Sequence, residues 1–182
     1  MPRLIHGNGD LMSAAKGSVI QVQNLELSQA HDDAVTTANS FDFNTNFQLN
    51  ITPFFANSKI LIECHVYIVP LSTSTVASGR IVRITGGVTT QVSNDSAGSS
   101  DTTTGSMVVY ADNASVNYMG NNCNSLSFFD SPNTTAQCTY RLQIAGNTAS
   151  TSVGFGQYGF GESSYGGTWI PTNTMTLMEI RQ

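Results

Sequence analysis

Alternation of apolar and polar residues with period 2 is the feature that most limits what this chain can become. In SVIQVQN, Ile20 and Val22 alternate with Gln21 and Gln23, the pattern of a strand with one apolar and one wet face. The same period recurs in NFQLNIT, SKILIECHVYIV, GRIVRIT, GSMVVYA, NSLSFFD, CTYRLQIA, TSVGFG and TMTLMEIR, giving about nine strands and no helical period. Between the runs stand turn-forming clusters: TPFFANS, TGG, NDSAGSSDTTTG, DNAS, DSPNTT, AGNTAS and YGGTWIPTN. Their spacing predicts an all-β protein. The expected form is an antiparallel β-sandwich, jelly-roll-like or of another Greek-key order, with an up-and-down barrel as the alternative.

The stretch SLSFFDSPNTTAQCTYRLQI, Ser125 to Ile144, reads as a hairpin. Asp130, Ser131, Pro132 and Asn133 supply turn chemistry: Asp bonds back to the chain and Pro132 presets φ. Leu126, Tyr140, Leu142 and Ile144 are expected to face the core, with Arg141 and Gln143 facing water or a neighbouring subunit. Met1 to Gly17 has no sustained period and is broken by Pro2, Gly7, Gly9 and Gly17. Residues 1–17 therefore read as an extended N-terminal arm and residues 18–182 as the sandwich. Ser93 to Gly105 reads as a polar exposed loop.

A chain of 182 residues buries roughly 70% of its surface on folding, so a core forms without staples. Only 10% of the residues are charged, against about 25% in ordinary domains, and the outside is expected to carry hydroxyls and amides instead. The net charge is −5 and the seven Lys and Arg residues are scattered from Arg3 to Arg181. No basic patch is then available to displace counterions from phosphates, which argues against a nucleic-acid partner. No apolar run reaches the ~18 residues of a membrane span, and MPRLIHGNGDLMSAAKG lacks the apolar centre of a signal peptide. The expectation is a protein made in a cytoplasm with no membrane partner.

Reactive chemistry is sparse. Of the three cysteines, Cys64 and Cys138 lie in strand patterns and read as small buried hydrophobes, while Cys123 reads as a loop thiol. His6, His31 and His65 lack metal-ligand spacing, and QAHDDA, with His31, Asp32 and Asp33, reads as a solvated turn rather than a metal site. GFGQYGFGESS lacks the Lys, the Ser/Thr and the following helix of a phosphate loop. Neither a paired-carboxylate pattern nor GxSxG is present; Glu63 and Glu179 lie in strands and Asp130 opens a turn. No catalytic residue, metal or cofactor is expected, and the chain does not read as an enzyme. The matches to Asn-x-Ser/Thr at Asn50, Asn94, Asn113 and Asn133 follow from the abundance of these residues.

Two groups of residues are candidates for contact. Tyr158, Phe160, Tyr165 and Trp169 are spaced by glycines; they either fill the open end of the sandwich or stand out to stack on sugars or anchor an interface. In TMTLMEI, Met175 and Leu177 share one face while Met178 and Ile180 share the other. Such a strand is either central in the fold or covered by another subunit, and Met178 and Ile180 are the candidate interface.

The hairpin together with TNTMTLMEIRQ, and the upstream pair GSVIQVQN and ITPFFANSKILIECHVYI, resembles a terminal domain found in many bacteriophage virion proteins. These are proteins of tail-fibre or head-decoration type, especially from marine and cyanobacterial phages. FFDSPNTT with Tyr140, and the ending TLMEI, are the distinctive parts, and the resemblance covers about residues 17–182. It implies an antiparallel sandwich that assembles as a homotrimer on the virion surface, has no catalytic site, and is made in the host bacterial cytoplasm. The arm, through Arg3, Leu4, Ile5, Leu11 and Met12, is expected to grip a major capsid protein or a tail or adaptor protein. Without a heptad or collagen-like shaft, a short head decoration or knob is favoured over a long fibre. The alternative is a tail-fibre tip that contacts a host-surface glycan or protein receptor through Tyr158, Tyr165 or Trp169.

Overall fold

The computed structural model describes residues 15–27, 31–35, 41–70, 75–93, 107–111, 123–146, 151–155 and 172–182. Eleven strands and no helix form among them. The first six are β1 (Val19–Leu27), β2 (His31–Val35), β3 (Asp42–Ile51), β4 (Lys59–Pro70), β5 (Thr75–Thr85) and β6 (Val88–Gln91). The remainder are β7 (Met107–Ala111), β8 (Cys123–Asp130), β9 (Cys138–Gly146), β10 (Thr151–Phe155) and β11 (Asn173–Ile180).

The pairing is antiparallel throughout and yields a sandwich of two sheets. One sheet runs β1-β11-β4, with β8 also on β4; the far end of β4 pairs with β10, which pairs with β2. The other runs β3-β9-β5, where β9 holds one edge of β5 and β6 and β7 share the other. Within the two sheets the orders β1-β11-β4-β8 and β3-β9-β5-β7, with successive strands such as β3, β4 and β5 changing sheets, are those of a jelly roll.

The core is what the period-2 pattern dictates. Ile60, Ile62, Cys64 and Val66 of β4 and Met175 and Leu177 of β11 meet Cys138, Tyr140, Leu142 and Ile144 of β9, with Phe47, Ile51 and Ile81 filling between. Burial of each such aliphatic chain contributes about 1.5–3 kcal/mol. Cys64 and Cys138 are buried and in no disulfide, as their strand positions predict. The TGG turn closes β5 on β6 through two residues, Gly86 (φ 57) and Gly87 (φ 80). Positive φ at both positions matches the twist of the flanking strands and disfavours any residue with a Cβ.

Four expectations need correction. Ser125 to Ile144 is not a hairpin, because β8 pairs with β4 in one sheet while β9 pairs with β3 and β5 in the other. Residues 131–137 form a corner between sheets; alternation shows that each strand has a buried face without saying that the two faces share a sheet. QAHDDA is not wholly a turn, since His31–Val35 is a strand paired to β10, and Val88–Gln91 is a further strand. Cys123 begins β8 rather than lying in a loop. In β1 the wet and dry faces are reversed near the start: Val22 is 51% exposed, while Leu25 and Leu27 pack on the core. A register shift between Val19 and Gln21 resets the alternation there.

Candidate interaction surface

The outer face of the β1-β11-β4-β8 sheet is laid out by its register. Val22, Met178, Leu61 and Phe129 stand side by side, one from each strand. Val22 and Phe129 are 51% and 57% exposed; Met178 and Leu61 are half-buried. One step toward the chain's C-terminal end lie Val19, Ile180 and Lys59, also in register. The Lys59 ammonium sits 5.9 Å from the Phe129 ring centre, close enough for a cation–π attraction. One step the other way the row is polar: Asn24, Thr176, Glu63 and Ser127, with Thr176 Oγ1 donating to Asn24 Oδ1 at 3.0 Å. Beyond it come Glu26, Thr174, His65 and Ser125, where His65 Nδ1 and Ser125 Oγ are hydrogen-bonded at 2.7 Å.

The neighbouring positions of the same strands turn inward, and two of them are fully buried. Gln21, Glu179, Ile60 and Asp130 occupy the adjacent positions of the same four strands. Glu179 is fully buried, and its carboxylate accepts from the Phe54 and Phe55 backbone N–H groups at 2.9 and 3.2 Å and from Gln21 Nε2. Gln21 Nε2 also donates to the Thr52 carbonyl at 2.8 Å, so one carboxylate fixes the β3–β4 corner to β1. Asp130 Oδ2 accepts from Tyr140 Oη at 2.7 Å and from Arg83 Nη1, both reaching over from the opposite sheet. Burial, then the Asp130 charge, push the Tyr140 phenol well above its ordinary value. For Arg83 burial opposes the charge, but the bond and attraction to Asp130 outweigh it and hold the guanidinium above its usual range.

Met178 and Ile180 thus lie outward on a strand that is itself central, between β1 and β4. Met175 and Leu177 face the core, and Met178 and Ile180 face out. Sequence reasoning missed Val22, Leu61 and Phe129 as members of the same row, and missed Glu179. Its signal was present, since Glu179 continues the buried series Asn173, Met175, Leu177. Gln143 is a further correction: it is 3% exposed, not wet, and its Oε1 accepts from Arg80 Nε at 2.8 Å. Arg80 also donates to Gln91 and stacks 3.9 Å from the Phe41 ring centre. Arg141 is half-buried and bonded to Gln48.

Tyr158, Phe160, Tyr165 and Trp169, and the arm residues Arg3, Leu4, Ile5, Leu11 and Met12, lie outside the described residues. So do His6 and most of GFGQYGFGESS and of the loop after Ser93. Among the described residues no group of three or more His, Cys, Asp and Glu side chains is placed to hold a metal ion, and no helix is long and apolar enough to cross a membrane.

No protein-family model matches the chain, and no curated protein matches it. Among solved structures it is similar to the VP2 subviral particle of infectious bursal disease virus, at TM-score 0.41 and 12% identity over 91% of this chain and 39% of that one. It is also similar to the structure of the Gx strain of that virus, at TM-score 0.42 and 12% identity, covering 100% of this chain and 42% of that one. T=1 particles derived from the virus give TM-score 0.39 and 10% identity, over 91% of this chain and 38% of that one. The chain spans about two fifths of the length of these proteins.

Proposed function

We propose that this chain is a non-enzymatic structural protein of a bacteriophage virion, a knob or decoration on the particle surface, and on the head rather than the tail. The observation that carries the reading is the outward-facing Val22–Met178–Leu61–Phe129 row, exposed at its two ends and half-buried at Met178 and Leu61, on a jelly roll of low charge. A contiguous apolar row on an open sheet face suits a protein contact.

The residues with acid–base character fit the same reading. Asp130, Arg83 and Tyr140 are spent on one another inside the corner, and Glu179 on backbone amides. His65 and Ser125 are bonded on an exposed face, where water is not excluded from a developing oxyanion. The jelly roll serves viral capsids and lectins alike, and the virion assignment within that range rests on the sequence resemblance. The homotrimer implied by that resemblance is one stoichiometry such a protein takes.

The test is composition and imaging of purified particles from a phage that encodes the chain. The expected result is the chain at stoichiometric copy number, with jelly-roll density on the head. Density on the tail alone replaces decoration with a fibre tip, and a chain missing from purified particles overturns the virion reading.

A further inference from the structure

We infer that this outward-facing row is a self-docking surface, at which a second copy of this chain packs face to face about a two-fold axis running along the row. The inference rests on the reading that this sheet face is where the protein meets its protein neighbours, and it names the neighbour. The reason is the placement of charge on either side of the row. Lys59, Leu61 and Glu63 point out from the same strand, with Leu61 in the apolar row, Lys59 on one side of it and Glu63 on the other. A two-fold axis along the row keeps each strand opposite its own copy and exchanges the two sides. Lys59 of one copy then faces Glu63 of the other, and the exchange occurs twice.

The remaining positions agree. Met178 meets Met178 and Phe129 meets Phe129 across the axis, while Ile180 and Val19 cross to the uncharged Thr176 and Asn24. An axis along the strands instead exchanges β11 with β4 and sets Lys59 against Ile180, so that no Lys59–Glu63 contact forms. A cyclic three-fold contact joins unlike surfaces and gains nothing from a self-complementary pattern. Four strands at about 4.8 Å spacing make the contact roughly 20 Å wide and on the order of 300 Å² per copy. That is well under the ~800 Å² per partner of a stable complex, so free copies associate weakly and the contact fills at the high local concentration of a particle surface.

The test combines charge reversal with cross-linking in the full chain, with fold checked by circular dichroism and melting temperature. Lys59→Glu and Glu63→Lys are each expected to weaken self-association about tenfold or more in sedimentation equilibrium. An equimolar mixture of the two variants is expected to associate again, because one then presents only carboxylates and the other only ammonium groups. In a Cys123→Ser background, Leu61→Cys is expected to oxidise to a covalent dimer far faster than Thr174→Cys, which lies on the same face away from the axis. A mixture that associates no better than either variant, or Leu61→Cys and Thr174→Cys cross-linking at equal rates, overturns the two-fold contact. If Met178→Asp detaches the protein from particles while charge reversal does not, the face is still the docking site and the second copy is the wrong occupant. A chain missing from particles removes the virion reading and leaves the solution result to stand alone.

Discussion

Asp130 and Tyr140 lie ten residues apart in sequence and in opposite sheets, and the phenol donates to the carboxylate at 2.7 Å across the sandwich. The same oxygen takes Arg83 Nη1 from β5, so the β8–β9 corner is tied to a strand that neither side of the corner adjoins in sequence. Between the ends of the corner, Pro132 is buried, Asn133 adopts φ 52, and Thr134 Oγ1 accepts from the Ala136 N–H at 3.0 Å. The corner is thus specified by local turn chemistry and by one ion pair that only the closed sandwich can form.

Removing the carboxylate charge leaves Arg83 uncompensated in a largely dry setting. Asp130→Asn is expected to destabilise the fold by about 2–4 kcal/mol, and Tyr140→Phe by about 1–2 kcal/mol, in urea unfolding. A double-mutant cycle of Asp130→Asn with Arg83→Met should show coupling of roughly 1 kcal/mol or more. Additive effects within error contradict the staple.

The raised Tyr140 value fixes an alkaline dependence. A phenol whose folded value lies above its unfolded value of about 10 contributes stability that is whole below that pH. Above it the unfolded chain loses its proton while the folded one keeps it, and stability falls by about 1.4 kcal/mol per pH unit. Denaturant unfolding from pH 9 to 11, a window centred on the unfolded value, should show the native chain losing about 1.4 kcal/mol in total beyond any loss in Tyr140→Phe. Equal slopes in the two proteins refute it.

Glu179 predicts a local effect at a distance in sequence. Glu179→Gln keeps the shape but weakens the charged acceptor of the Phe54 and Phe55 amides, and should cost about 1–2 kcal/mol. Hydrogen exchange at those two amides should accelerate more than at the β9 amides. A uniform acceleration places the effect elsewhere.

Asn133 holds a left-handed conformation, with its Nδ2 donating to the Ser131 carbonyl at 3.1 Å. Asn133→Ala is expected to cost about 1–2 kcal/mol and Asn133→Gly only a few tenths, as read by urea midpoints. A larger loss with glycine than with alanine rules out backbone conformation as the reason for Asn.

Most strands were legible because each buries one face, and alternation records that directly. His31–Val35 was not, since HDDAV offers no apolar alternation, and Val88–Gln91 was too short to show a period. For the surface, Met178 and Ile180 were legible as an apolar face turned from the core. Their companions were not, because Val22, Leu61 and Phe129 come from strands distant in sequence and meet only through register. Glu179 followed the buried series of its strand, but a carboxylate there becomes readable only once the corner amides that satisfy it are in place.

By itself the sequence determined an all-β sandwich, its buried thiols, its weakly charged exterior and where its main turns fall. These depend on neighbours along the chain, where period and turn chemistry act. The tertiary structure alone decided that FFDSPNTT is a corner between sheets, that Asp130 meets Arg83 and Tyr140, and that four distant residues form one outward-facing row. Hydrogen-bond register between strands sets all three, and register is settled by which faces bury together rather than by any single strand's residues.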